Sequence, residues 1–346
     1  MPRRVSRRGA SALLVIVSAV LLWTGCADGS SADGSAVAPG AAPPAAGASG
    51  RSPAARPAGD GSGRSRATAH GDDPGPAGST GQRTDMAQEP MGGRTLLPHY
   101  RIVAHYGSVG GGALGVLGEG TPEQAARRVL AAAAPFGAGD RPVQPAMELI
   151  TTVAAAAPGA DGLYSSTLSD DAITPYLTAA RAHRMLLILD LQPGRARFLD
   201  QAKRYERFLR EPDVGLALDP EWKMGPGQVP GQRIGSSDAA GINEVSDWLA
   251  GIVRHDRLPQ KLFAVHQFTQ SMLPDRANIV ARPELATIFH IDGFGARPDK
   301  LEKYALLRAA PPFFTGVKLF LTQDSNIFSP AETLTFTPPP DLITYQ

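Results

Sequence analysis

Cysteine is almost missing from this chain: Cys26 stands alone among 346 residues, so no disulfide can form within it, even in an oxidising compartment. Large apolar residues are missing over a long stretch. Between Ala27 and Thr95 there is no Leu, Ile, Phe, Trp or Tyr, and such a segment cannot bury enough apolar surface to offset the entropy of ordering. Several catalytic signatures are also absent. There is no G-x-S-x-G, no H-E-x-x-H and no G-x-G-x-x-G after the first strand-like run, and the Gly110-Gly111-Gly112 cluster lacks the Lys and Ser/Thr of a phosphate loop. No basic stripe or Arg-aromatic interleaving is present, which argues against nucleic acid as a partner.

What the N-terminus does contain is ordered: Arg3, Arg4, Arg7 and Arg8, an apolar run from Ala12 to Trp23, then Thr24-Gly25-Cys26. A basic region followed by a short apolar run matches a signal peptide over residues 1–25. A spanning helix needs about 20 apolar residues, more than this run supplies. The segment resembles the lipobox of bacterial lipoproteins, in which a small residue precedes a cysteine that becomes the lipidated N-terminus. That family usually has Leu three residues before the cysteine; here Trp23 holds that place and Leu22 lies one earlier. Ser6-Arg7-Arg8 resembles a twin-arginine export signal, but Gly9, Ala10 and Ser11 follow it instead of strongly apolar residues. The resemblance implies lipidation at Cys26 and an exported protein held on the outer face of the cell membrane by its lipid. Residues 26–95, rich in Gly, Ala, Pro and Ser, then read as a disordered tether reaching on the order of 45 Å.

Composition changes at Leu96. All 12 phenylalanines, all 7 tyrosines and every tryptophan except Trp23 lie from there to Gln346. Residues 96–346 suit one domain of the size typical of a (β/α)8 barrel. Apolar runs of strand length recur at 101–105, 147–153, 185–190, 214–219, 262–266, 286–290 and 316–321. They are continuous rather than alternating, as parallel strands buried on both faces are. Helix-like segments separate many of them, at 122–136, 171–184, 196–209, 239–255 and 298–308. The first has Thr121 as N-cap and Pro122 at the first helical position. Strand and helix in alternation predict an α/β TIM-like barrel with an eighth strand still to be found; a doubly wound open sheet is the alternative.

Polar groups gather where the runs stop: His105 and Tyr106, Asp190 and Gln192, Asp219 with Glu221 and Trp222, His266 and Gln267, and Asp292 after His290. The carboxyl ends of barrel strands converge on one face, so these residues are candidates for a shared substrate-binding mouth. Asp219 and Glu221 are the candidate catalytic pair. Residues two apart on a strand point the same way, and like charges held close keep one carboxyl protonated, as acid catalysis at a glycosidic oxygen requires. Trp222 can stack on a sugar face.

Leu218-Asp219-Pro220-Glu221 resembles the D-x-E at a strand end in chitinase-like and lysozyme-like glycosidases. Against the chitinase pattern D-G-x-D-x-D-x-E, Gly215, Asp219 and Glu221 match, while Val214 and Ala217 replace acids. The resemblance implies Glu221 as general acid and Asp219 as its partner, acting on cell-wall or environmental polysaccharide without a cofactor. The two missing acids keep a second expectation open: a non-catalytic lipoprotein that binds glycan or another surface component. His105, His266, His290 and Asp292 could in principle meet around zinc, but the first strand lacks the H-x-H of metal-dependent barrel hydrolases, and no metal is expected. His183 and His255 read as surface residues near helix ends. The Gly- and Pro-rich stretch 225–237 reads as a loop over the strand ends, either a lid or a plain connection.

Overall fold

A computed structural model describes residues 86–346. The signal-like segment, Cys26 and the tether up to residue 85 lie outside the described residues. Residues 86–95, grouped with the tether on composition, pack beneath the domain. Glu89 is buried, Met91 packs against the apolar interior, and the Arg94 guanidinium donates to the carbonyls of Ala87, Arg257 and Leu258. Hydrogen bonds hold this strap in place of large apolar side chains, which is why composition did not mark it.

Nine strands follow: β1 (Arg101–Gly107), β2 (Val143–Ala154), β3 (Ser165–Thr167), β4 (Leu186–Leu191), β5 (Val214–Leu218), β6 (Lys261–Gln267), β7 (Leu285–Ile291), β8 (Phe314–Leu319) and β9 (Leu342–Tyr345). All except β3 are mutually parallel and form a closed ring, in which β9 pairs with both β8 and β1 and β1 pairs with β2. Closure excludes the open sheet. The eighth barrel strand is therefore β9, and β3 is a short antiparallel appendage on β2. Around the ring lie α1 (Pro122–Ala133), α2 (Asp170–Ala182), α3 (Phe198–Arg204), α4 (Glu206–Leu209), α5 (Ala239–Asp256), α6 (Arg297–Leu307) and α7 (Pro330–Thr333). This is a TIM-barrel-like fold.

Local chemistry fixes the helix starts. Thr121 and Gln124 form a reciprocal capping box at α1, and Asp238 caps α5 by accepting from the Gly241 amide. The single helix expected at 196–209 is divided at Tyr205, whose hydroxyl reaches inward to the Thr151 carbonyl at 2.7 Å. Between β6 and β7 the crossover consists of 3-10 turns.

Strand alternation sorts the core into two layers. Outward residues such as Met147, Leu187, Leu216 and Phe263 pack under the helices, while Ile102, Ala104, Ala146, Ile188, Ala217, Ala264 and Ile288 fill the lumen. Leu96, Leu97 and Tyr100 join the lumen cluster just before β1. Burial at about 25 cal/mol per Å² of apolar area makes these two layers the main favourable contribution to the fold.

Candidate functional site

Towards the carboxyl ends of the strands the lumen changes character. The inward positions that follow the apolar ones are Tyr106 on β1, Glu148 on β2, Asp190 on β4, His266 on β6, His290 on β7, Lys318 on β8 and Thr344 on β9, and all are buried. Asp219 follows β5 and Asp292 follows β7, each almost fully buried.

His266 is the hub. Its Nδ1 lies 2.9 Å from Asp292 Oδ2, and its Nε2 lies 2.8 Å from Glu148 Oε1 and 3.4 Å from Asp190 Oδ2. Only the first two contacts have hydrogen-bond geometry. The Lys318 ammonium sits 3.3 Å from His266 Nδ1, 3.7 Å from Asp292 Oδ2 and 3.6 Å from the centre of the Tyr106 ring. Because Nδ1 donates to Asp292, Lys318 cannot also donate to that nitrogen; Asp292 draws both cations to itself. Thr344 donates to the other Glu148 oxygen at 3.1 Å. Gln192 donates to the Tyr106 hydroxyl at 3.2 Å and accepts from the Ala154 amide at 3.1 Å. The Tyr106 hydroxyl lies 3.5 Å from Asp190 Oδ1.

These contacts set the charges. Burial and the Lys318 charge both oppose protonation of His266, but the hydrogen bonds to Asp292 and Glu148 outweigh them and hold it well above its ordinary range. Burial would raise Glu148 and Asp292, yet bonding to His266 and the nearby cations bring each down to about 2. Lys318 is raised in spite of burial, by Asp292 first and Glu148 next. Two anions and two cations thus neutralise one another. The remaining carboxyls go the other way. Burial pushes Asp190 up to about 7 and Glu221 up to about 8, with Asp292 adding to the effect at Glu221. Burial and the Glu221 carboxylate raise Asp219 well above its usual range. Burial and the His266 charge lower His290 to about 3, leaving a neutral imidazole.

The carboxylate pair converges by a different route from the one expected. Asp219 ends β5, but Glu221 lies in a 3-10 turn (Pro220–Trp222) rather than on the strand. One carboxylate oxygen from each of Asp219, Glu221 and Asp292 lies within 4.8 Å of the others. The turn is held from outside by the 225–237 loop: the Gly235 amide donates to the Glu221 carbonyl at 2.6 Å, and Ser236 donates to the Lys223 carbonyl at 3.2 Å. A Cβ at Gly235 would stand 2.6 Å from the Glu221 carbonyl oxygen, so only glycine fits this approach. Glu221 and Trp222 are the partly exposed members of the group; Asp219 and Asp292 lie deeper.

Tyr106, Asp190, Gln192, Asp219, Glu221, His266 and Asp292 are therefore brought together, with Trp222 on the same turn as Glu221. His105 and Gln267 are not. They occupy outward positions one residue out of phase with Tyr106 and His266. His105 packs beside Tyr345, its ring lowered to about 4 by burial, and Gln267 accepts from Arg276 at 2.8 Å. Sequence reasoning missed Glu148, Lys318 and Thr344, which sit within strands rather than after them. His183 and His255 lie near helix ends as expected, beside Glu123 and Asp256.

A closed parallel barrel with acidic and histidine side chains clustered at one end of its lumen has the form of a ligand-binding or catalytic site. No protein-family model matches the chain, and no curated protein matches its sequence.

Proposed function

We propose that this chain is an exported, lipid-anchored protein whose barrel hydrolyses cell-wall or environmental polysaccharide by carboxylate acid/base catalysis. The observation that carries the reading is the convergence of Asp219, Glu221 and Asp292 within 4.8 Å, with Glu221 the partly exposed one. Glu221, raised to about 8, keeps its proton at neutral pH and is placed to give it to a glycosidic oxygen. Asp292, held ionised beside His266 and Lys318, supplies the negative field that steadies an oxocarbenium-like charge. Trp222 offers an aromatic face to a sugar ring. Full-length protein assayed on peptidoglycan, chitin and glucans should release reducing ends, and Glu221→Gln should abolish the release. Equal release by both proteins would remove Glu221 from the mechanism.

A non-catalytic glycan-binding reading draws on two observations. Ala217 faces the lumen where the glycosidase pattern has an acid, and Asp219 is 1% exposed. Under this reading the wild type retains polysaccharide in a pull-down and releases no product. The anchoring half of the proposal rests on Thr24-Gly25-Cys26. Cys26→Ser should move the protein from the membrane fraction to the soluble one; retention in the membrane would refute lipid attachment.

A further inference from the structure

His290 has no part in the acid chemistry of the mouth. It is fully buried, and neither of its ring nitrogens finds a hydrogen-bond partner among the described residues. Buried polar groups in that condition are rare and call for a missing partner. The fold makes room for the ring: a Cβ at Gly316 on β8 would stand 2.7 Å from His290 Cδ2.

The neighbours of His290 are ligating side chains. One ligand atom each from Glu148, His266 and His290 lie within 4.8 Å of one another. Asp190 Oδ2 also lacks a hydrogen bond, and it stands 3.4 Å from the same His266 Nε2 that lies 2.8 Å from Glu148 Oε1. Atoms bound to one first-row metal ion at about 2.0–2.2 Å stand about 3–3.5 Å from each other, close to these two distances from His266 Nε2. We propose that Glu148, His266 and His290 form a transition-metal site of the zinc class in the upper lumen of the barrel, with Asp190 beside His266 supplying the fourth ligand once the ion is bound.

Three further features fit the proposal. Partner atoms for three of the four ligands are in place: His266 Nδ1 donates to Asp292, Thr344 donates to the second Glu148 oxygen, and the Tyr106 hydroxyl faces the second Asp190 oxygen. Charge closes as well. A divalent ion with two carboxylates and two neutral imidazoles is neutral, and Lys318 with Asp292 is neutral beside it. Finally, the ion replaces the Nε2 proton of His266, so Lys318 at 3.3 Å faces an uncharged ring instead of an imidazolium. With Asp190 drawn in, two histidines and two carboxylates fill a tetrahedral shell, which makes the site structural and loaded during folding.

The test is to unfold the full-length protein, then refold it with zinc, with cobalt or with a chelator. Zinc-refolded protein should carry about one ion per chain by elemental analysis and melt at a higher temperature than the chelated form. Cobalt-refolded protein should show the visible absorption of a four-coordinate ion. His290→Leu should lose the ion and melt like the chelated wild type. Glu221→Gln should keep the ion at full stoichiometry, so a failed glycosidase assay leaves this result unaffected. Zinc and cobalt both absent after refolding would overturn the proposal. So would His290→Leu melting at or above the zinc-refolded wild type, the result expected if the imidazole is an unsatisfied core residue.

Discussion

The two halves of the lumen are built from the same strands yet obey opposite rules. In the lower half Ile102, Ala104, Ala146, Ile188, Ala264 and Ile288 meet as an apolar plug. One inward position further along each strand the residues become Tyr106, Glu148, Asp190, His266 and His290. The lower half is stabilised by area removed from water and tolerates volume-conserving exchange. The upper half takes ions out of water and holds them only because each finds an opposite charge or a proton. A barrel thus keeps reactive groups rigid by standing them on a core that needs no charge balance.

The comparison breaks most sharply at Lys318. Lys318→Met keeps the volume but leaves Asp292 and Glu148 short of a cation, and it should cost about 3–5 kcal/mol in urea unfolding at neutral pH. An unchanged midpoint would mean the upper half does not depend on charge compensation. Gly316→Ala comes next. Its methyl would enter the His290 ring at 2.7 Å, and the overpacking should cost about 1–3 kcal/mol. In the lower half, Ile188→Val removes one methyl group and should cost only about 1 kcal/mol, with no change in the pH profile.

The remaining effect is read as a slope with pH. Glu221 is raised to about 8 in the folded protein, so the native state holds a proton that the unfolded chain gives up near its ordinary value of 4.5. Its contribution is complete below about pH 4.5 and is lost as pH rises through about 8. Unfolding midpoints should therefore decline across that window, and less steeply in Glu221→Gln. Parallel curves for the two proteins would show that Glu221 titrates normally.

Much of this plan was legible in the sequence, for reasons that particular residues make plain. Continuous apolar runs such as Leu186–Leu191 announce a strand covered on both faces. Thr121-Pro122 announces the start of a helix. Strand β9 escaped because Leu342–Tyr345 is four residues long and follows Pro338–Pro340, where turn chemistry dominates. Period two was available to separate His105 from Tyr106 and His266 from Gln267, but the inward phase is set only by ring closure. Glu148 and Lys318 were hidden by the search for polar groups after strands. A charge in the middle of a run otherwise apolar, as in Met147-Glu148-Leu149 or Val317-Lys318-Leu319, is the signal that would have found them. The Asp219 and Glu221 pair was found by its spacing, although a 3-10 turn rather than strand alternation delivers the second carboxyl.

Ring closure has a kinetic consequence. Strand β9 joins Ile102 to Leu342, a pairing between segments far apart along the chain, and contacts of such separation form late. Until they form, β9 and β1 are open edges able to recruit strands from other molecules. Amides of β9 should be the first barrel amides to exchange with deuterium, and conditions that slow closure should favour aggregation through those two edges. The last pairing to form in the ring then governs how safely the protein reaches its native state.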